Sequence, residues 1–176
     1  MHFLERRPAP DEYNAFFAAY VARVPAGNLL DILAAQHAAT QRLLAPLDGA
    51  RALHRYAPEK WSVKEVIGHV ADSERIFAYR ALRFARADAT PLAGFDEKTY
   101  VPTADFDRRP LGALLEDLTA VRAATRTLIA DLDEAAWRRS GMANGHLITV
   151  RALGCVIAGH QAHHVAILRE RYGIGG

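Results

Sequence analysis

The sequence predicts an all-α protein: a four-helix bundle with a short extra helix at its N-terminus. Three observations predict it. Leucine and other apolar side chains recur at three- and four-residue spacing over four long segments, which lays them along one helix face. Capping residues stand at the starts of those segments, and Pro, Gly and Asp fill the stretches between them. The composition, 51% hydrophobic and 24% charged over 176 residues, is that of a folded domain, and a domain near this size buries roughly 70% of the surface its unfolded chain exposes.

The elements follow in order. A short aromatic helix is expected over Asp11 to Val24, with Tyr13, Phe16, Phe17 and Tyr20 packing across the bundle. The first long helix runs from about Asn28 to Leu47: Asn28 can accept hydrogen bonds from the free N–H groups of the first turn, and Leu30, Leu33, Leu44 and Leu47 form the stripe. Pro46 and Gly49 end it. The second begins at Ser62, where S-V-K-E is a capping box closed by Glu65; Val63, Ile67, Val70, Phe77 and Phe84 mark its buried face, and it stops before Thr90-Pro91.

The third opens at Pro110, a favoured first helical residue, and carries Leu111, Leu114, Leu115, Leu118, Val121, Leu128 and Leu132. The fourth is capped by Thr149 and passes through Leu153, Ile157, His160, His164 and Leu168 to Tyr172, with Gly173 as its stop. The connection Pro91 to Arg109 is long for a bundle and shows no helical period, as in loops that carry function or span a bundle end to end. The whole chain, 1–176, reads as one domain with its core over about 28–172.

Charge narrows the function classes. Basic residues number 22 against 20 acidic ones with no run of one sign, so nucleic acid is not the expected partner. Cys155 stands alone, which excludes an internal disulfide framework and suits a reducing compartment. No stretch approaches the roughly 20 apolar residues of a membrane span, and M-H-F-L-E-R-R-P-A-P lacks a signal peptide's apolar core. The expectation is a cytoplasmic protein with no membrane partner.

The chemistry concentrates in G-H-Q-A-H-H-V-A-I-L, residues 159–168. His160 and His164 lie four apart, where Cβ atoms on one helix face are about 5–6 Å from each other, so both rings can aim at one point. Zinc–nitrogen bonds of about 2.0–2.1 Å need such convergence, with a third ligand from another helix. Both rings share the stripe of Leu153, Ile157 and Leu168, where an unpaired polar group costs on the order of 1–3 kcal/mol. They are either satisfied core polars or ligands, and spacing alone does not separate the two. His69, flanked by Ile67 and Val70 on the second helix, can face them from the opposite wall. Three neutral imidazoles would leave positions open for water or substrate, and a bound water loses its proton near neutral pH.

Other residues read more plainly. His2, His37, His54 and His146 are structural or surface residues, and His163 points about 100° from His164, on the helix flank, where it could support a ligand from behind. H-Q-A-H-H approaches zinc-protease spacing, but Gln161 stands where the general-base Glu is needed, which disfavours proteolysis. Cys155 lies about 140° around the helix from His160 and reads as a small core residue rather than a nucleophile; no G-x-S-x-G marks a serine. Asp72, Glu74, Arg75 and Arg80 form either a solvated face or a functional one. In the second case Asp72 or Glu74 backs a ligand and Arg80 clamps an anionic group of the substrate.

W-S-V-K-E-V-I-G-H-V-A-D-S-E-R (61–75), Y-R-A-L-R (79–83), P-L-A-G-F-D-E (91–97) and G-H-Q-A-H-H (159–164) together resemble the DinB superfamily, in particular its YfiT-like metal-dependent branch. The likeness runs from Asn28 to Tyr172. It implies a four-helix bundle with a right-angled set of three histidine ligands at one end, His69, His160 and His164, holding a divalent transition metal such as nickel or zinc in a chain that pairs as a homodimer. Relatives include transferases and isomerases that use low-molecular-weight thiols such as bacillithiol or mycothiol, and others are described as hydrolases. The resemblance therefore implies a metal-activated thiol or water as the reacting group, most favourably S-transfer from a small-molecule thiol to an electrophilic substrate. Asp72, Glu74, Arg80 and His163 are the candidate supporting residues. The alternatives are metal-dependent hydrolysis and a non-catalytic metal or stress-ligand binding module.

Overall fold

The computed structural model describes residues 2–175. The N-terminal segment makes 3-10 turns at Phe3–Glu5, Pro10–Glu12 and Ala15–Phe17 before one α-helical turn, α1 (Ala18–Val21). The continuous helix expected over Asp11 to Val24 is thus broken. Tyr13 is fully extended, and the Asn14 side chain accepts from the Phe16 N–H, starting a new turn where a helix would have continued. Glu12 fastens this segment to the bundle by accepting from the Thr149 hydroxyl at 2.8 Å and the Arg151 Nε at 3.0 Å.

Four long helices follow, with short elements between them: α2 (Leu29–Leu44), α3 (Gly49–Ala52), α4 (Val63–Ala85), α5 (Glu97–Ala104), α6 (Leu111–Ala130), α7 (Glu134–Arg138), β1 (Ser140–Ala143), β2 (His146–Thr149) and α8 (Val150–Glu170). The bundle of α2, α4, α6 and α8 is the expected one. Asn28, Ser62 and Thr149 cap as their types predict, and the capping box at α4 closes with Ser62 N–H to Glu65 at 2.8 Å and Glu65 N–H to the Ser62 hydroxyl at 3.0 Å. Several boundaries shift, and α6 and α8 end about two residues early, at Ala130 and Glu170. α2 stops at Leu44 rather than Leu47, because Pro46 has no N–H to continue the ladder, and Pro110 is the cap of α6 rather than its first residue.

The long connection contains a helix that periodicity does not reveal. Asp96 caps α5 by accepting from the Lys98 N–H at 2.9 Å, and the helix ends at Asp105 in the left-handed region, φ 49°. β1 and β2 form an antiparallel hairpin, Ser140 opposite Thr149, turning at Asn144-Gly145 with φ of 51° and 76°. Two positive φ values in sequence are what Asn-Gly supplies. Leu92 joins the hairpin from the connection, donating to the Met142 carbonyl at 2.8 Å and accepting from the Asn144 N–H at 2.9 Å.

Apolar packing falls into two clusters. One gathers Leu29, Leu33, Phe77, Phe84, Trp137 and Leu153; the other gathers Leu44, Val66, Val70, Leu114, Leu118 and Leu168. Between them every long helix contributes buried polar groups: Thr40 from α2, Ser73 and Glu74 from α4, Arg122 and Thr125 from α6, His160 and Gln161 from α8. Arg122 organises this layer at 1% exposure. Its Nε and Nη2 donate to the two Glu74 oxygens at 2.8 and 2.7 Å, Nη1 donates to the Leu33 carbonyl at 3.0 Å, and Nη2 also donates to Gln161. The Gln161 amide in turn donates to the Thr40 hydroxyl at 2.8 Å. A buried guanidinium is tolerable only when its donors are matched in this way.

Candidate metal centre

His69 stands in the second turn of α4, buried and tilted against the Trp61 ring at 4.7 Å. His160 and His164 stand one turn apart on α8, whose register is set by the Thr149 cap and whose rotation is set by Gln161 in the Arg122 network. Helix packing brings the three rings together. The His69 and His160 Nε2 atoms are 3.0 Å apart, those of His160 and His164 are 3.1 Å apart, and one ring nitrogen from each residue lies within 4.8 Å of the others.

These contacts cannot all be ordinary hydrogen bonds. A neutral imidazole nitrogen is either a donor or a one-lone-pair acceptor, so the His160 Nε2 that touches both neighbours can satisfy only one of them well. Burial also disfavours protonation: it lowers the pKa of His69 to about 4 and that of His164 to about 3, the latter helped by His69 and His163, and it holds His160 well below the usual range. Three neutral rings therefore present lone pairs to one another. That is the form in which imidazole binds a cation, and two bonds of about 2.1 Å at a right angle span about 3.0 Å. The donor set fits a divalent transition metal.

Beside the histidines lies a cavity of about 390 Å³. His69, Ser73, Phe77 and Arg80 of α4 and His160 of α8 form its bundle side, while Asn14 to Tyr20, Phe95, Glu97 and the hairpin close the rest. The Tyr20 ring packs edge-on to His160 at 5.4 Å and His163 at 5.3 Å. Gly159 permits this approach. A Cβ there would fall inside the van der Waals envelope of the Tyr20 carbonyl, which is backbone and cannot swing aside. Gly159→Ala is accordingly expected to displace α1 at a cost of about 1–3 kcal/mol. Thermal melts check the cost, and faster proteolysis near residues 14–23 checks the displacement.

The supporting residues named from the sequence separate. Arg80 is buried at the cavity wall, with its Nη2 donating to the Ala93 carbonyl at 2.9 Å. His163 is half-buried, its ring 5.1 Å from that of His164. Asp72 instead accepts from Arg75 at 3.3 Å on the outer side of α4, and Glu74 turns both oxygens to Arg122. Cys155 is buried as a core residue should be, and burial pushes its thiol up to about 11.

The family model described as the DinB superfamily matches residues 32–168. The chain belongs to the DinB superfamily. Among solved structures its DinB fold is similar to that of YfiT from Bacillus subtilis, reported as "a probable metal-dependent hydrolase with an unusual four-helix bundle topology": the TM-score is 0.69 at 18% identity, over 97% of this chain and 95% of that one. It is also similar to the mycothiol-dependent maleylpyruvate isomerase, with a TM-score of 0.63 at 18% identity over 84% of this chain. The chain spans 60% of the isomerase's length. No curated protein matches the sequence.

Several cavity residues of this DinB chain escaped the sequence reading. Ser73, Phe95, Glu97 and Asn144 lie in the cavity wall, and Arg122 holds the helix that carries two of the rings. Asn144-Gly145 was legible as a hairpin turn and would have pointed to the segment that closes the site.

Proposed function

We propose that the chain is a divalent-metal-dependent enzyme that transfers a low-molecular-weight thiol to an electrophilic small molecule, with His69, His160 and His164 as the metal ligands. The observation that carries this reading is the convergence of three imidazole nitrogens, two of whose rings, His69 and His160, line a cavity sized for a small molecule. Nickel and zinc both suit an imidazole donor set. Such an ion, when bound, supplies Lewis-acid chemistry that lowers the pKa of a thiol or water beside it.

The chain's own residues bind and orient the reactants. Phe77 and Tyr20 pack edge-on against the His160 ring on the cavity side, and the Tyr20 hydroxyl, held protonated by burial and by nearby Glu97, is a donor at the cavity wall. In the transfer the thiol gives its proton to solvent and its sulfur bonds to the electrophilic carbon. The leaving group departs with the electrons of the bond that breaks. The mycothiol-dependent neighbour supports a thiol reactant, and the YfiT description supports the second reading, hydrolysis. The same proposal makes the chain one domain, 1–176, working as a cytoplasmic homodimer without nucleic-acid or membrane partners. Among the described residues no helix is long and apolar enough to cross a membrane.

The test is turnover by metal-loaded protein. With 1-chloro-2,4-dinitrobenzene and a panel of cysteine-derived thiols, mass spectrometry is expected to find a thioether product, chloride release, and dependence on both the thiol and His69. Thiol-independent cleavage of an ester or amide panel would make the protein a hydrolase. No turnover in either screen would leave a metal-binding module.

A further inference from the structure

We propose that the cavity beside the histidines is built for a carboxylic acid with an apolar body, its carboxylate on Arg80 and a hydrogen bond from Ser73 along its length. The inference deepens the proposed function and rests on it for where the reacting atom lies, but the anion site itself does not need the metal.

Three observations carry it. First, Arg80 is a buried cation, 6% exposed, whose one hydrogen bond among the described residues is to the Ala93 carbonyl. Its planar fork carries five N–H donors, most of them still to be matched, and a carboxylate is the group whose two oxygens fit that fork. Burial lowers the guanidinium's hold on its proton and no acidic neighbour opposes this. The contrast with Arg122, also buried but saturated by Glu74, Leu33 and Gln161, separates a structural arginine from one left open to the cavity. The carboxylate lining the same cavity, Glu97, acts on the Tyr20 hydroxyl and forms no ion pair with Arg80.

Second, Ser73 is 1% exposed, lines the cavity, and its hydroxyl has no hydrogen-bond partner among the described residues. A buried hydroxyl left unmatched costs on the order of 1–3 kcal/mol, and a ligand atom in the cavity recovers that cost. Third, the row is ordered. His69, Ser73, Phe77 and Arg80 share one face of α4, with about 16 Å of helix rise from first to last, shortened by the lean of long side chains toward the helix N-terminus. Phe77 stands between the polar positions, and the Phe95 ring lies 5.7 Å from the Arg80 guanidinium carbon. A ligand spanning this row has a reacting end at the histidines, an apolar middle and an anionic end.

Isothermal titration of metal-free protein with 4-phenylbutanoate and its neutral isostere 4-phenylbutanamide tests the site. The acid is expected to bind wild type at least tenfold more tightly than the amide. Arg80→Gln is expected to erase that preference, and Ser73→Ala to weaken the acid several-fold. Equal binding of acid and amide by wild type, binding of neither, or an acid preference that survives Arg80→Gln would each overturn the proposal. The wild-type comparison needs no variant to fold. Metal content measured on the same wild-type and Arg80→Gln samples keeps the two readings apart: acid preference without metal uptake sinks the metal centre alone, and metal uptake without acid preference sinks the anion site alone.

Discussion

Arg122→Ala is expected to lower stability by about 3–5 kcal/mol, the cost of leaving one member of a buried ion pair without its partner. The mutation strands the Glu74 carboxylate, 3% exposed, and removes the donors that serve the Leu33 carbonyl and Gln161. For a chain of this length each kcal/mol moves Tm by about 2–4 °C, so a fall of about 10 °C is expected in calorimetry. Glu74→Ala should cost a similar amount. The double variant Glu74→Leu with Arg122→Met should recover most of the loss, because apolar groups of similar volume remove the desolvation penalty together with the pair. A double variant as unstable as the singles would mean that the layer stabilises through its geometry rather than its charge balance.

His160→Ala is expected to eliminate stoichiometric metal. Wild type should hold about one transition-metal ion per chain by elemental mass spectrometry, because three imidazoles complete an open site. His160 contributes the nitrogen that touches both of the others, so its loss leaves only two donors, His69 and His164, with ring centroids 4.8 Å apart. Even the partners behind a ligand are worth about 10–100-fold in affinity, and a ligand itself should be worth more. Nickel or zinc should raise the Tm of wild type by mass action and leave that of His160→Ala unmoved. His163→Ala is the control, with metal content retained. A wild type that takes up neither ion would return the three rings to the core as polar packing.

The bundle and the histidines were legible because each depends on a local rule. Capping at Asn28, Ser62 and Thr149 and the three- to four-residue recurrence of leucines are written within one helix, and His160 with His164 needs only the pitch of α8. His69 was reachable because its flanking Ile67 and Val70 mark the inward face. What stayed hidden depends on pairs far apart in the chain. Glu74 reads locally as part of a solvated charge cluster, and nothing near it names Arg122, 48 residues on, as the partner that buries it. Ser73 is unremarkable until packing shows its hydroxyl buried in a cavity wall without a partner among the described residues. The helix α5 stayed hidden for a different reason: eight residues interrupted by Pro102 carry too little period to register.

The cavity's two sides have different origins, and this divides the protein's labour. The three histidine rings sit on α4 and α8, locked into the packed bundle, while much of the opposing wall comes from the N-terminal segment, the connection holding Phe95 and Glu97, and the Asn144-Gly145 hairpin. The last two are tied to each other through Leu92 rather than only to the helices. Surface connections tolerate change far better than packed helices do. The helices that carry the histidines can thus stay constant while the shape of the cleft is rewritten. Exchanging residues 91–97 and 140–149 together should therefore change what the cleft admits without moving the three rings.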